Sequence, residues 1–209
     1  MKDDTVESPM ESPPETVYTQ AQAYAPMEAL AAATAAALPD FPGFERRSWG
    51  EMPCSHDGID IPGYTNIEIR YRFSLAHSGS ELVREHYVQV LREHWGGLGY
   101  AFTEDSEDLD PDGRIDRNLA VTLKDGITLW YRVWGYVGLL VQSGPVTISD
   151  VDEFQYIPPT GGVTPGGIGD LVNRYFPDGI PTGPVVLPCE GDGLAVDPFD
   201  SPVTYDDQL

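Results

Sequence analysis

The clearest alternation in the chain runs from Asn66 to Phe73, where Ile67, Ile69, Tyr71 and Phe73 take one side and Glu68, Arg70 and Arg72 the other. A two-residue period of this kind marks a strand buried on one face. The period then changes. Between Ser78 and Tyr100, residues Val83, Tyr87, Val90, Leu91, Trp95 and Leu98 recur three and four apart, which places them on one face of a helix. Ser78 with Glu81 three residues on predicts a capping box at its start. Gly96, Gly97 and Gly99 predict its end, because glycine takes the left-handed conformation without a Cβ clash. Alternation returns after a short strand at 100–103 and an acidic loop, with Leu119, Val121 and Leu123 on a strand from Asn118 to Lys124. Asp125-Gly126 then predicts a type I′ hairpin turn into a strand from Ile127 to Trp134, and Gly135 to Gly138 turns again into Leu139 to Gln142.

This order predicts an α+β fold: an N-terminal helix, then strand-helix-strand and an antiparallel meander of about four or five strands, with the long helix packed on one face. The N-terminal helix lies within Thr16–Leu38, starting near Pro26, a residue suited to a first turn, with Met27, Leu30, Thr34, Ala37 and Leu38 near one side. The passage 41–63 reads as a linker. Ile127, Leu129, Tyr131 and Val133 share one face of their strand, and Thr128, Trp130, Arg132 and Trp134 the other. Aromatics on both faces predict that the second is covered, by the N-terminal helix or by the tail. Left exposed, Trp130 and Trp134 would instead mark a binding surface.

The pattern divides the chain into an acidic arm at 1–15, a single α+β domain at 16–150 and an extended acidic tail at 151–209, where proline and glycine crowd out regular structure. Phe154, Tyr156, Tyr175, Phe176, Phe199 and Tyr205 stand along that tail as isolated aromatic anchors. They suit an arm lying over an apolar groove, its own or a partner's.

Charge narrows the functional classes. With 34 acidic residues against 12 basic ones the net charge is -22, which opposes nucleic acid, whose affinity comes first from Lys and Arg that release counterions. No apolar run is long enough to span a bilayer, so no direct membrane span is expected. The numbered start, MKDDTVESPMESPP, is acidic where an export signal would be basic and then hydrophobic.

Candidate chemistry is sparse. Asp108, Asp110, Asp112 and Asp116, with Gly113 among them, reproduce much of a calcium-loop spacing, in which alternate carboxylates converge on a hard cation. Leu119 stands where that loop needs a bidentate glutamate, and strands flank it, so a weak calcium site competes with a solvated acidic turn. No other cofactor is expected. Cys54 and Cys189 allow one disulfide or two thiols. His86 and His94 lie about 12 Å apart along the helix and about 80° around it, too far to share a metal. His56, with Cys54, Ser55 and Asp57, sits in a loop without the rigid positioning that activates a nucleophile. No catalytic residue is predicted.

Pro53-Cys54, Trp95-Gly-Gly-Leu-Gly99-Tyr100, Asp125-Gly126-Ile127 and Ser143-Gly144, taken in order, resemble small actinobacterial secreted lipoproteins of unknown function of the LppA-like type. The resemblance covers about residues 20–150 and implies an α+β fold, life outside the cytoplasm and no known catalysis. The chain departs from the pattern at Pro145, where the second cysteine of the family would stand, and it has no lipobox cysteine. The resulting expectation is a non-enzymatic interaction or structural domain, envelope-associated or secreted, whose extensions bind a protein partner or other copies. A virion or particle component with an embracing C-terminal arm and a weak calcium-binding module are the alternatives; cytoplasmic and particle-bound settings stay open.

Overall fold

Helix α1 spans Gln20–Ala36 and begins where Thr19 and Gln22 form a reciprocal capping box, each satisfying a backbone N–H that the first turn leaves without a partner. This start lies six residues before the expected one, so Pro26 sits inside the helix rather than in its first turn. The computed structural model describes residues 14–56, 59–110, 113–150 and 153–172.

Six strands form one antiparallel sheet: β1 (Arg46–His56), β2 (Ile59–Arg72), β3 (Ala101–Leu109), β4 (Ile115–Thr122), β5 (Thr128–Val133) and β6 (Val137–Thr147), in the spatial order β1-β2-β6-β5-β4-β3. The α+β fold with its open meander is as the periodicity predicts, with one strand more. That strand is β1, which occupies the passage read as a linker. Its side chains facing the helices include Arg47 and Trp49, paired across from Tyr71 and Ile69; an arginine at a buried position hid the two-residue period. The acidic loop is likewise shorter than expected, because β3 continues through Asp108 to Leu109.

Between β2 and β3 the chain forms a one-turn helix α2 (Leu75–Ser78), a π-helical turn (Leu82–His86) and helix α3 (Tyr87–Gly97). The predicted capping box at Ser78 does not form. Ser74 caps α2, so Ser78 ends that turn, and its buried Oγ accepts from the Val137 N–H at 3.0 Å, tying the helical layer to the start of β6. Ser80 Oγ accepts from the Val83 N–H in its place. Val83, Tyr87, Leu91 and Trp95 are buried as predicted; Val88 joins them, Val90 is half-buried and Leu98 is exposed. The helix closes as its glycines predict, with Gly99 at φ +74° and the Tyr100 N–H bonded back to the Trp95 carbonyl.

All helices share one face of the sheet. Met27 and Ala31 of α1 and Leu91 and Trp95 of α3 join Ile67, Ile69, Tyr71, Phe73, Leu119, Val121, Leu129, Tyr131, Leu139 and Val141 in a single core. The β4–β5 hairpin closes differently from the expected type I′ turn. The Gly126 N–H bonds to the Leu123 carbonyl and the Leu123 N–H to the Ile127 carbonyl, with Gly126 in the left-handed region and Asp125 outside it, a type I turn followed by a glycine bulge.

Residues 153–172 belong to this core as well. Phe154, Val163 and Val172 are buried in it, and the Phe44 and Arg47 N–H groups bond to the Gly161 and Gly169 carbonyls. Glycine is required at both places: a Cβ would lie 2.5 Å from the Phe44 ring at Gly161 and 2.2 Å from the Glu45 carbonyl oxygen at Gly169. Beneath this segment Arg47 is fully enclosed. Its guanidinium donates to Glu28 at 2.7 Å, to Asp170 at 3.0 and 3.2 Å, and to the Ile157 carbonyl at 2.7 Å. Tyr71 donates to the other Glu28 oxygen at 2.6 Å, and Tyr156 and the Gly166 N–H donate to Asp170.

Candidate functional site

Successive side chains on a strand point to opposite sides, so the register also determines what the helices leave uncovered. One row across the sheet reads Arg46, Arg72, Gly138, Arg132, Asn118 and Ser106; the next reads Ser48, Arg70, Leu140, Trp130, Ala120 and Glu104. Four of the chain's 12 basic residues therefore share one face, on β1, β2 and β5, together with Glu68 of β2 beside Arg70 and Glu104 of β3. Neither α1 nor α3 supplies the expected cover, since both pack on the opposite side; the rest of the tail, the other expected cover, lies outside the described residues, and Ser48, Arg72, Ala120 and Leu140 on this face are buried.

At the centre of this face a shallow depression is lined by Arg70, Arg132, Trp134, Tyr136, Gly138 and Leu140. It exists because Gly138 places no side chain between Arg72 and Arg132 in its row. The Arg132 guanidinium stacks on Trp130 at 4.8 Å and on Trp134 at 5.2 Å, and that of Arg72 on Tyr136 at 4.1 Å. Stacking on indole and phenol faces orients the cations. Arg70 forms an ion pair with Glu68.

Arg72 carries the electrostatic signature of the face. Burial pulls its pKa below the ordinary arginine value, and the like charge of Arg46 adds to this, against Tyr136 and Glu45. Its nearest carboxylate, Glu45, stands at 3.6 Å and is half exposed. Arg72 Nε and the indole Nε1 of Trp130 are buried without a hydrogen-bond partner among the described residues. Arginine keeps its proton throughout the working pH range, and indole offers only a donor. The arrangement is thus suited to holding an acceptor-rich anion, and a carboxylate matches the planar fork of a guanidinium.

The other sequence candidates fall elsewhere. Phe154 is buried in the protein's own core and Tyr156 bonds to Asp170, so both anchor their segment to the chain's own domain. Tyr175, Phe176, Phe199, Tyr205, Cys189 and Asp112 lie outside the described residues. Cys54 is buried and unpaired among the described residues. Asp108 and Asp116 face each other across β3 and β4, with Asp116 raised by burial and by Asp110. Asp110 accepts from the Arg114 N–H at 2.7 Å and from its Nε at 2.9 Å. Among the described residues no group of three or more His, Cys, Asp or Glu is placed to hold a metal ion. No described helix is long and apolar enough to cross a membrane.

Sequence reasoning named Trp130 and Trp134 but missed Arg72, Tyr136 and Gly138. The signal for Arg72 was present, since it lies on the polar side of the alternating strand; its meeting with Gly138 and Arg132 depends on β2 pairing with β6. Comparisons with family models, with curated proteins and with solved structures return no match for this chain.

Proposed function

We propose that the protein is a non-enzymatic interaction domain whose open sheet face binds an acidic, aromatic-containing polypeptide. The observation that supports this reading is the convergence of Arg70, Arg72 and Arg132 with Trp130, Trp134 and Tyr136 on a face that no described helix covers. Carboxylates would meet guanidinium edges and aromatic side chains would meet the indoles, a pairing in which Trp and Arg dominate contact energies. A long polyanion such as nucleic acid fits poorly, because the net charge of -22 repels it at every position beyond this face. A short acidic segment feels mainly the local field, since charges beyond about 10 Å are screened at ordinary ionic strength.

The test is fluorescence anisotropy of a short labelled peptide rich in Asp, Glu and Phe, titrated with the full chain. Binding that weakens with salt and is lost in the Arg72→Glu, Arg132→Glu double variant is the expected result. Equal binding by the wild type and the variant would refute the assignment of the face. A circular dichroism spectrum matching the wild type establishes that the variant is folded.

A further inference from the structure

Given the reading above, on which this inference rests, we infer that the resident occupant of the face is the chain's own acidic C-terminal segment, residues 173–209. Three observations carry it. The first is charge and aromatic content: the segment holds seven carboxylate side chains against Arg174 alone, and its last part pairs acid with ring in Asp197-Pro198-Phe199-Asp200 and Tyr205-Asp206-Asp207. Those are the groups that a face of stacked arginines and indoles complements.

The second is where the segment starts. Val172 is buried two residues beyond Asp170, which is held by Arg47 of β1, and β1 is the edge strand at the arginine end of the sheet. The residue beside Arg47 is Arg46, which faces Arg72 in the first row of the open side. The segment therefore sets out next to the charge that it complements.

The third is reach. From β1 to β5 is three strand spacings, roughly 14 Å, which about five extended residues cover. The segment has 209 − 172 = 37 residues, enough to pass the edge and cross the face. Tethering then supplies an effective concentration on the order of millimolar, so even a weak contact is occupied most of the time. An acidic partner in trans would bind by displacing it, and the face would be self-covered until such a partner arrives.

The experiment uses the full chain. A nitroxide is attached to Cys189 in the Cys54→Ser background, and the indole N–H signals of the four tryptophans are read by NMR. Docking in cis predicts that Trp130 and Trp134 are broadened at low salt while Trp95 is spared. It also predicts that high salt, or Arg72→Glu with Arg132→Glu, restores the signals. Replacing Asp197, Asp200, Asp206 and Asp207 by Asn would raise the affinity for the labelled acidic peptide by about tenfold, if the tether acts at about 1 mM on a contact of about 0.1 mM. Absence of broadening, uniform broadening of all four indoles, or broadening seen only when labelled and unlabelled chains are mixed would overturn docking in cis. If the peptide binds wild type but not the double arginine variant while the label has no effect, the binding face stands and the occupant is wrong. If neither responds, both fall.

Discussion

Replacing Asp170 with alanine tests what holds residues 153–172 to the sheet. The Arg47 guanidinium meets Asp170 at 2.9 Å, with both side chains at 0% exposure, so the substitution leaves a buried cation with Glu28 as its remaining carboxylate. Removing one partner of a buried pair costs about 3–5 kcal/mol, because the other charge stays desolvated. The surviving Glu28 contact places the expected value at the lower end of that range, and the Gly166 N–H and Tyr156 hydroxyl lose their acceptor as well. At about 2 kcal/mol per molar of urea, the unfolding midpoint should fall by roughly 1.5 M. Equilibrium urea unfolding followed by circular dichroism provides the measurement. As an internal standard, Arg92→Ala removes a partly exposed pair with Asp105 and should cost about 1 kcal/mol or less. A loss for Asp170→Ala no larger than that of the standard would refute the claim that the network locks the segment in place. Substituting Glu28→Leu, Arg47→Met and Asp170→Leu together removes every charge and should be less damaging than Asp170→Ala alone, since no ion is left unpaired.

The same network predicts a pH dependence. Burial holds Glu28 above the ordinary carboxylate range, against Arg47 and Tyr71, so the folded state binds its proton more tightly than the unfolded state does. Its contribution is then fully present below the unfolded value near 4.5 and lost as pH rises through the folded one. Thermal midpoints of wild type and Glu28→Gln, taken across that range, should differ most in favour of wild type at the acid end; a constant difference would contradict the assignment. Ser78→Ala leaves the Val137 N–H buried without its acceptor, at a cost of about 1–3 kcal/mol, and hydrogen exchange at the Val137 amide should quicken in step.

The core of the fold was legible where one period ran unbroken. Ile67 to Phe73, the Val83-to-Trp95 stripe and the strands around Asp125-Gly126 bury most of the residues that their spacing selects, Val90 and Leu123 only in part. Legibility failed where a polar residue took a buried position. Arg47 disguised β1 as a linker, and Ser78 offered a capping sequence that was taken up by a contact 59 residues away. Beyond Asp150, Gly161 looked like a breaker, whereas it permits the close approach of 153–172 to Phe44. The open face was half visible: Trp130 and Trp134 stood out as residues, but the side on which the helices pack is a tertiary outcome that no local pattern encodes.

The chain's four tryptophans divide evenly between the two sides of the sheet, with Trp49 and Trp95 in the core and Trp130 and Trp134 on the open face. Titrating an acidic, aromatic peptide into the isotopically labelled full chain and following the four indole N–H resonances therefore asks the central question directly. The binding face predicts that Trp130 and Trp134 shift together, saturably and less at high salt, while Trp49 and Trp95 hold still. Movement of the core pair instead, or no movement at all, would contradict it.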